Sequence, residues 1–339
     1  MSSRVSDLDV SAPRAGRALV RTVAAGTVAG AAGLGYAWCE ARWFALRHVT
    51  VPVLPEGVPD LRILHLSDLH LTPYQKRKQE WVRSLRALEP DLVVNTGDNL
   101  SHHLSVDPLL DALGPLAEGP GVFVLGSNDY YSPTPRNPLR YLAPGDRRYT
   151  KSKALPWQYL IDRLSGAGWT ELTNRKAELK VKGVRIAFAG VDDPHMKYDD
   201  LGAVSGPADQ DADVRIGVTH APYLRVLDQF SRDGYDVTFA GHTHGGQLCL
   251  PVKGALVTNC DLDTGRVKGL HRHPARSVPG DAGSSWLHVS AGLGTSPYAP
   301  VRFCCRPEAT LLTFTAIDAD PATDPATDPA TDPAAVPVS

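Results

Sequence analysis

Five times between residues 64 and 246 a short apolar run breaks into a loop carrying Asp, His or Asn: LHLSDLH (64–70), VVNTGDN (93–99), FVLGSNDY (123–130), GVTHAP (217–222) and FAGHTHGG (239–246). Short apolar runs closed by Gly or Pro read as buried strands. Residues 62–66, 92–95 and 122–125 give the first three, and helical patterns over 79–87 and 108–116 separate them. Strand, helix, strand, helix, strand favours a largely parallel sheet with crossover helices. Later runs at 184–189, 214–218, 237–240, 286–290 and 310–314 add strands. The expectation is an α/β domain of two packed sheets flanked by helices. In such folds ligands gather outside the carboxyl ends of the strands, where all five loops can meet.

A chain of 339 residues with 42% hydrophobic and 21% charged positions can bury a sizeable core. Its formal net charge of -2 gives no electrostatic case for nucleic acid as a structural partner. Cys39, Cys249, Cys260, Cys304 and Cys305 are too few and too irregular for a disulfide framework, and no Cys-x-x-Cys pair marks a zinc ribbon.

At the N-terminus a basic segment, residues 1–17, leads into an apolar run over 18–39 with the polarity of an export signal or a signal anchor. The run ends in Tyr36, Ala37, Trp38 and Cys39 without a small-x-small cleavage site, so it reads as an uncleaved single-pass anchor; a cleaved signal and an Ala/Gly-rich amphipathic helix are the alternatives. The Arg bias before it places the N-terminus inside and the catalytic domain outside the cytoplasm, at the cell membrane. Residues 40–59, Pro/Gly-punctuated towards their end, read as a linker, and 60–316 as the catalytic domain. The Pro-Ala-Thr-Asp repeat of 317–339 is too poor in large apolar residues to order. A Pro-rich stretch carrying Arg136, Arg140, Arg147 and Arg148 reads as a loop that could cap the site.

Asp68 and His70 stand two apart, so in extended backbone both side chains face one side and can chelate one ion. His242 and His244 repeat that spacing, with Gly241, Gly245 and Gly246 allowing close backbone approach. Asp98, Asn128 and His220 each follow a strand. Carboxylate, amide and imidazole ligands without thiolate suit Mn²⁺, Fe²⁺, Zn²⁺ or Mg²⁺. Seven candidate ligands exceed a tetrahedral site and suit two ions, which together serve in-line phosphoryl displacement. A mononuclear zinc hydrolase would leave several of them idle.

The order Asp68-x-His70, Gly97-Asp98, Gly126-x-Asn128, His220 and Gly241-His242-x-His244 resembles the calcineurin-like metallophosphoesterase superfamily over about residues 60–315, in particular its bacterial membrane-associated, YkuE-type branch. The resemblance implies a four-layer α/β/β/α sandwich. It implies that Asp68, His70 and His244 bind one ion, that Asp98 bridges, and that Asn128, His220 and His242 bind the second. It further implies hydrolysis of a phosphate ester or pyrophosphate by a hydroxide bridging the two metals, on a phosphorylated small molecule or a lipid-linked phosphate at the membrane. Asp98 and His242 are accordingly expected to serve catalysis as well as metal binding. One departure matters: the family's Gly-Asn-His-Asp/Glu loop reads Gly126-Ser127-Asn128-Asp129 here. A one-residue slip keeps Asn128 as ligand and puts Asp129 where the usual histidine assists the leaving group. The departure also leaves open a catalytically weak, metal-binding scaffold of the same fold.

Overall fold

The computed structural model describes residues 14–135 and 152–317, with side chains from residue 21 onward. In chain order the elements are α1 (Arg14–Glu40), β1 (Ala45–Leu54), β2 (Leu61–Leu66), α2 (Lys76–Ser84), β3 (Leu92–Asn95), α3 (Val106–Leu113), β4 (Gly121–Phe123), α4 (Ser127–Tyr130), α5 (Trp157–Gly166) and β5 (Thr170–Glu171). They continue with β6 (Arg175–Val181), β7 (Val184–Gly190), α6 (Leu201–Val204), β8 (Val214–Val218), α7 (Leu224–Asp233), β9 (Val237–Ala240), β10 (Cys249–Leu250), β11 (Gly254–Ala255), β12 (Gly269–His273), β13 (Ser285–Val289) and β14 (Glu308–Ala316).

Two six-stranded sheets form, ordered β1-β14-β2-β3-β4-β5 and β12-β13-β9-β8-β7-β6. Within the first, β2 to β5 run parallel and only the β14–β2 pair is antiparallel. Within the second, β13, β9, β8 and β7 run parallel between the antiparallel edges β12 and β6. Period-two alternation decides which side chains fill which layer. Leu61 and Ile63 of β2 point into the core between the sheets, where they meet Ile216, Val237 and Phe239, while Leu64 and Leu66 point outward to Val82 of α2 and Leu109 of α3. On the far side, Val226 and Phe230 of α7 pack against Ala189 of β7. Gly234, in the left-handed region at φ 88°, ends α7.

All eight strands expected from the apolar runs form, with ends shifted by at most two residues. Two N-terminal expectations are corrected. Residues 40–59 are not merely a linker: β1 is the edge strand of the first sheet, paired along its length with β14. Its alternation was hidden because His48 and Thr50 are exposed on one face while half-buried Arg47 interrupts the apolar series of the other. The apolar run over 18–39 is helical within α1, but among the described residues no helix is long and apolar enough to cross a membrane. Four glycines and interspersed Ala and Thr contribute little to transfer into hydrocarbon. The Arg136–Arg148 stretch and the repeat from 318 onward lie outside the described residues.

Candidate metal centre

The loops after β2, β3, β4, β8 and β9 converge. Asp68 and His70 follow β2, Asp98 follows β3, Asn128 lies in α4 after β4, His220 follows β8, and His242 and His244 follow β9. The five loops are bolted together by backbone bonds, among them Asp68 N to Gly97 O (2.9 Å), His70 N to Asp98 O (2.9 Å) and Gly241 N to His220 O (2.8 Å).

Asp68, His70, Asp98, His242 and His244 all sit in the left-handed region, with φ between 43° and 67°. The Asp68/His70 and His242/His244 pairs are therefore not extended as their spacing suggested. Non-glycine residues held there are strained, a cost that clusters at functional sites. Two glycines have steric reasons. A Cβ on Gly126 would fall 2.3 Å from Asp98 Oδ1, and one on Gly241 would fall 1.9 Å from Ser67 Oγ and 2.6 Å from Asp68 Oδ2.

His70 Nε2 stands 3.2 Å from His244 Nε2, and His220 Nε2 stands 3.3 Å from His242 Nδ1. Each pair of imidazoles thus aims nitrogens at a common point. Asp98 lies between the pairs, with Oδ2 3.5 Å from His70 Nε2 and Oδ1 3.6 Å from His220 Nε2. Asp68 Oδ2 accepts from the Ser67 hydroxyl (2.5 Å) and the His242 backbone N–H (2.9 Å). Its Oδ1 is buried with no hydrogen-bond partner and stands 3.6 Å from His244 Nε2. A buried orphan carboxylate oxygen costs free energy unless something fills its lone pairs, and a cation would. Asp68, His70 and His244, and Asp68, Asp98 and His220, form two groups whose ligand atoms are close enough to hold a metal ion. The donor set therefore fits divalent cations.

Charge follows from burial and neighbours. Burial pushes the Asp68 carboxyl up to about 6, against the pull of His220. Burial would also raise Asp98, but His220, His70 and hydrogen bonds from Asn128 hold it below the usual carboxylate range. Burial pulls His70 down to about 4 and His244 well below its ordinary value. His220 goes the other way: burial would lower it, but Asp98, Asp193 and Asp68 hold it up at about 9. Its Nδ1 is 2.7 Å from Thr96 O, which orients Nε2 towards the carboxylates.

Asn128 joins the cluster, its backbone N and Nδ2 each donating at 2.7 Å to an oxygen of Asp98. Asp129 does not take the histidine's place. It is fully buried, and its two oxygens accept from the backbone N–H groups of Asp98 (2.8 Å), Asn99 (2.8 Å) and Gly126 (3.0 Å). That carboxylate clamps two loops together and has no free edge to offer a leaving group.

A sixth strand-end loop escaped sequence reasoning: β7 runs directly into Val191-Asp192-Asp193-Pro194-His195. The His195 ring lies 4.6 Å from that of His242, and its Nδ1 is 3.0 Å from the Tyr223 hydroxyl. Asp193 is buried, and burial pushes its carboxyl up to about 7. The pattern that revealed the other loops, an apolar run ending in Asp and His, was present here too. Arg302 is fully buried against the His244 loop.

The family model for calcineurin-like phosphoesterase matches residues 61–246, from β2 to the glycine pair after His244. The chain is 25% identical over 295 residues to phosphodiesterase YaeI of Escherichia coli (strain K12), covering 85% of this chain and 95% of that protein. It is 26% identical over 308 residues to the uncharacterized metallophosphoesterase YkuE of Bacillus subtilis (strain 168), covering 86% of this chain and 93% of that one. A transmembrane protein with metallophosphoesterase domain from Bos taurus is 28% identical over 226 residues, 60% of this chain and 45% of its own length.

Proposed function

The chain belongs to the calcineurin-like phosphoesterase family, and from that membership and the geometry of the cluster we propose that it hydrolyses a phosphate ester or pyrophosphate with two divalent cations, at a membrane surface. Asp68, His70 and His244 would hold one cation and Asn128, His220 and His242 the other, with Asp98 shared. The observation that carries this is Asp98, whose two oxygens face one imidazole pair each while Asp68 Oδ1 stays unpartnered. Bound cations would make water acidic enough to supply a nucleophile at neutral pH and neutralise phosphate charge. The protein's own part is to hold the ligands, keep His220 and Asp98 oriented through Thr96 O and Asn128, and manage the leaving group. A phosphorylated small molecule or a lipid-linked phosphate is the substrate class, and the relatives named as transmembrane proteins support the membrane setting.

We assign leaving-group protonation to His195, since Asp129 is occupied. His195→Gln is expected to slow an alkyl phosphodiester by about 10²-fold or more and bis-p-nitrophenyl phosphate, whose leaving group needs no proton, far less. Asp129→Asn should lower both rates by the same factor and lower the Tm, because an amide N–H then faces backbone N–H groups. Equal effects of His195→Gln on both esters would remove it from this role.

Metal binding should depend on pH in a defined direction. In the metal-free protein His220 keeps its proton up to about pH 9, whereas a cation takes only the neutral imidazole. The cation must therefore displace a proton, and its affinity should rise about tenfold per pH unit towards that value and level off above it. Titration calorimetry in buffers of different ionisation enthalpy should show proton release near neutral pH; binding independent of pH there would contradict the arrangement.

The test of the reading as a whole is turnover of bis-p-nitrophenyl phosphate with added Mn²⁺, compared with Asp98→Ala and His242→Ala. Stoichiometric metal binding without turnover on any phosphoester would favour the scaffold.

A further inference from the structure

We propose that the β10–β11 hairpin and the C-terminal end of α1 form one docking face beside the metal centre, and that its partner is an anionic phospholipid surface. The inference rests on the membrane-surface reading above and says which residues meet the lipid. Three segments build the face. The Tyr36 ring meets the Phe303 ring edge-on at 5.5 Å, and Arg302 N donates to Ala37 O, so the end of α1 sits on the 301–305 loop. Leu248 forms a bridge with Phe303, and Cys249 N donates to Phe303 O at 2.8 Å, so the hairpin leaves that same loop. The hairpin is also the direct continuation of the chain that carries His242 and His244.

Tyr36, Trp38, Leu248, Leu250, Val252 and Tyr298 are all exposed here, with Val252 at the hairpin tip fully so. Isolated surface apolar residues need no explanation, but a contiguous set of this size marks an interaction site. The charges decide the partner. Arg42 lies over the Trp38 ring at 3.7 Å, Arg306 lies over Trp43 at 4.2 Å, and Lys253 follows Val252. Across residues 21–55, 245–260 and 292–306 Glu40 is the one acid, and it is buried, capping the Cys304 and Cys305 N–H groups at 2.9 and 2.6 Å. Apolar tips, aromatic rings and cations with their stems along them are the composition that seats at the headgroup level of an anionic leaflet. Docked there, the metal loop would face the plane of headgroup phosphates.

The experiment is sedimentation of the full chain with vesicles of phosphatidylcholine alone and of phosphatidylcholine mixed with phosphatidylglycerol. The wild-type chain should partition onto the mixed vesicles and less onto the neutral ones. Leu250→Asp with Val252→Asp should cut partitioning by about 10-fold or more, with unchanged Tm and unchanged turnover of soluble bis-p-nitrophenyl phosphate. Val278→Asp, at an exposed apolar residue on the β12–β13 connection, should bind as the wild type does. Partitioning that the double variant leaves intact would assign binding to α1 alone and overturn the face. A wild-type chain that ignores both vesicles would overturn the face together with the membrane reading, and a wild-type dimer dissociated by the double variant would make the occupant a second copy. Loss of turnover with vesicle binding intact would count against the hydrolase reading only.

Discussion

Asp98→Ala is expected to lower turnover of bis-p-nitrophenyl phosphate by more than about 100-fold, with the metal content per chain falling in parallel. Replacing a group that merely orients a ligand costs about 10–100-fold in affinity or activity, and Asp98 is placed to do more. It is the carboxylate between both imidazole pairs, and it also accepts the Asn128 backbone and side-chain N–H groups at 2.7 Å each. On the proposed arrangement its removal would take the shared ligand from both cation positions and let α4 drift. It also withdraws the strongest of the charges that hold His220 up at about 9. Elemental analysis and initial rates on the same preparation, with circular dichroism to show that the fold persists, would measure this. Turnover within about tenfold of wild type would mean that Asp98 is no shared ligand.

Arg302→Leu is expected to cause the largest loss of stability, about 3–5 kcal/mol from two or three buried carbonyls left without donors, which for a domain of this size is a fall in Tm of roughly 10 °C. Arg302 has no carboxylate partner among the described residues. Its guanidinium instead donates to the backbone carbonyls of Ala291 (2.7 Å), Gly292 (3.1 Å) and Gly294 (2.8 Å), and more weakly to those of His244 (3.3 Å) and Cys305 (3.4 Å). Leucine would fill part of the volume and leave those acceptors buried without donors, each costing about 1–3 kcal/mol if nothing else reaches it. Nη2 also stands 3.3 Å from His244 Nδ1, so the variant should bind metal more weakly even where it stays folded. Arg302→Lys, with a point charge in place of the planar fork, should lie between the two. A Tm within about 2 °C of wild type would show that water or a rearranged loop satisfies the carbonyls.

The eight interior strands of the two large sheets were legible because burial on both faces demands continuous apolar runs, and the ligand loops were legible because five of those runs stop at Asp, His or Asn. The edge strands β1, β5, β6 and β12 were not: β1 exposes His48 and Thr50 on one face, carries half-buried Arg47 on the other, and so loses its contrast with a linker. Residue type alone could nominate Asp129 for the leaving group. Only the folded chain shows its oxygens already claimed by three backbone N–H groups from two loops.

By itself the sequence determined the order of the interior strands and their loops, the seven side chains nominated as metal ligands, and the missing histidine of the third loop. Tertiary structure decided which imidazoles pair, that Asp98 stands between the pairs, that Asp129 is a clamp, and that His195 joins from a sixth loop. The reason is physical: a strand announces itself through near neighbours in the chain, whereas ligand geometry depends on contacts between residues as far apart as His70 and His244, fixed only when the two sheets pack.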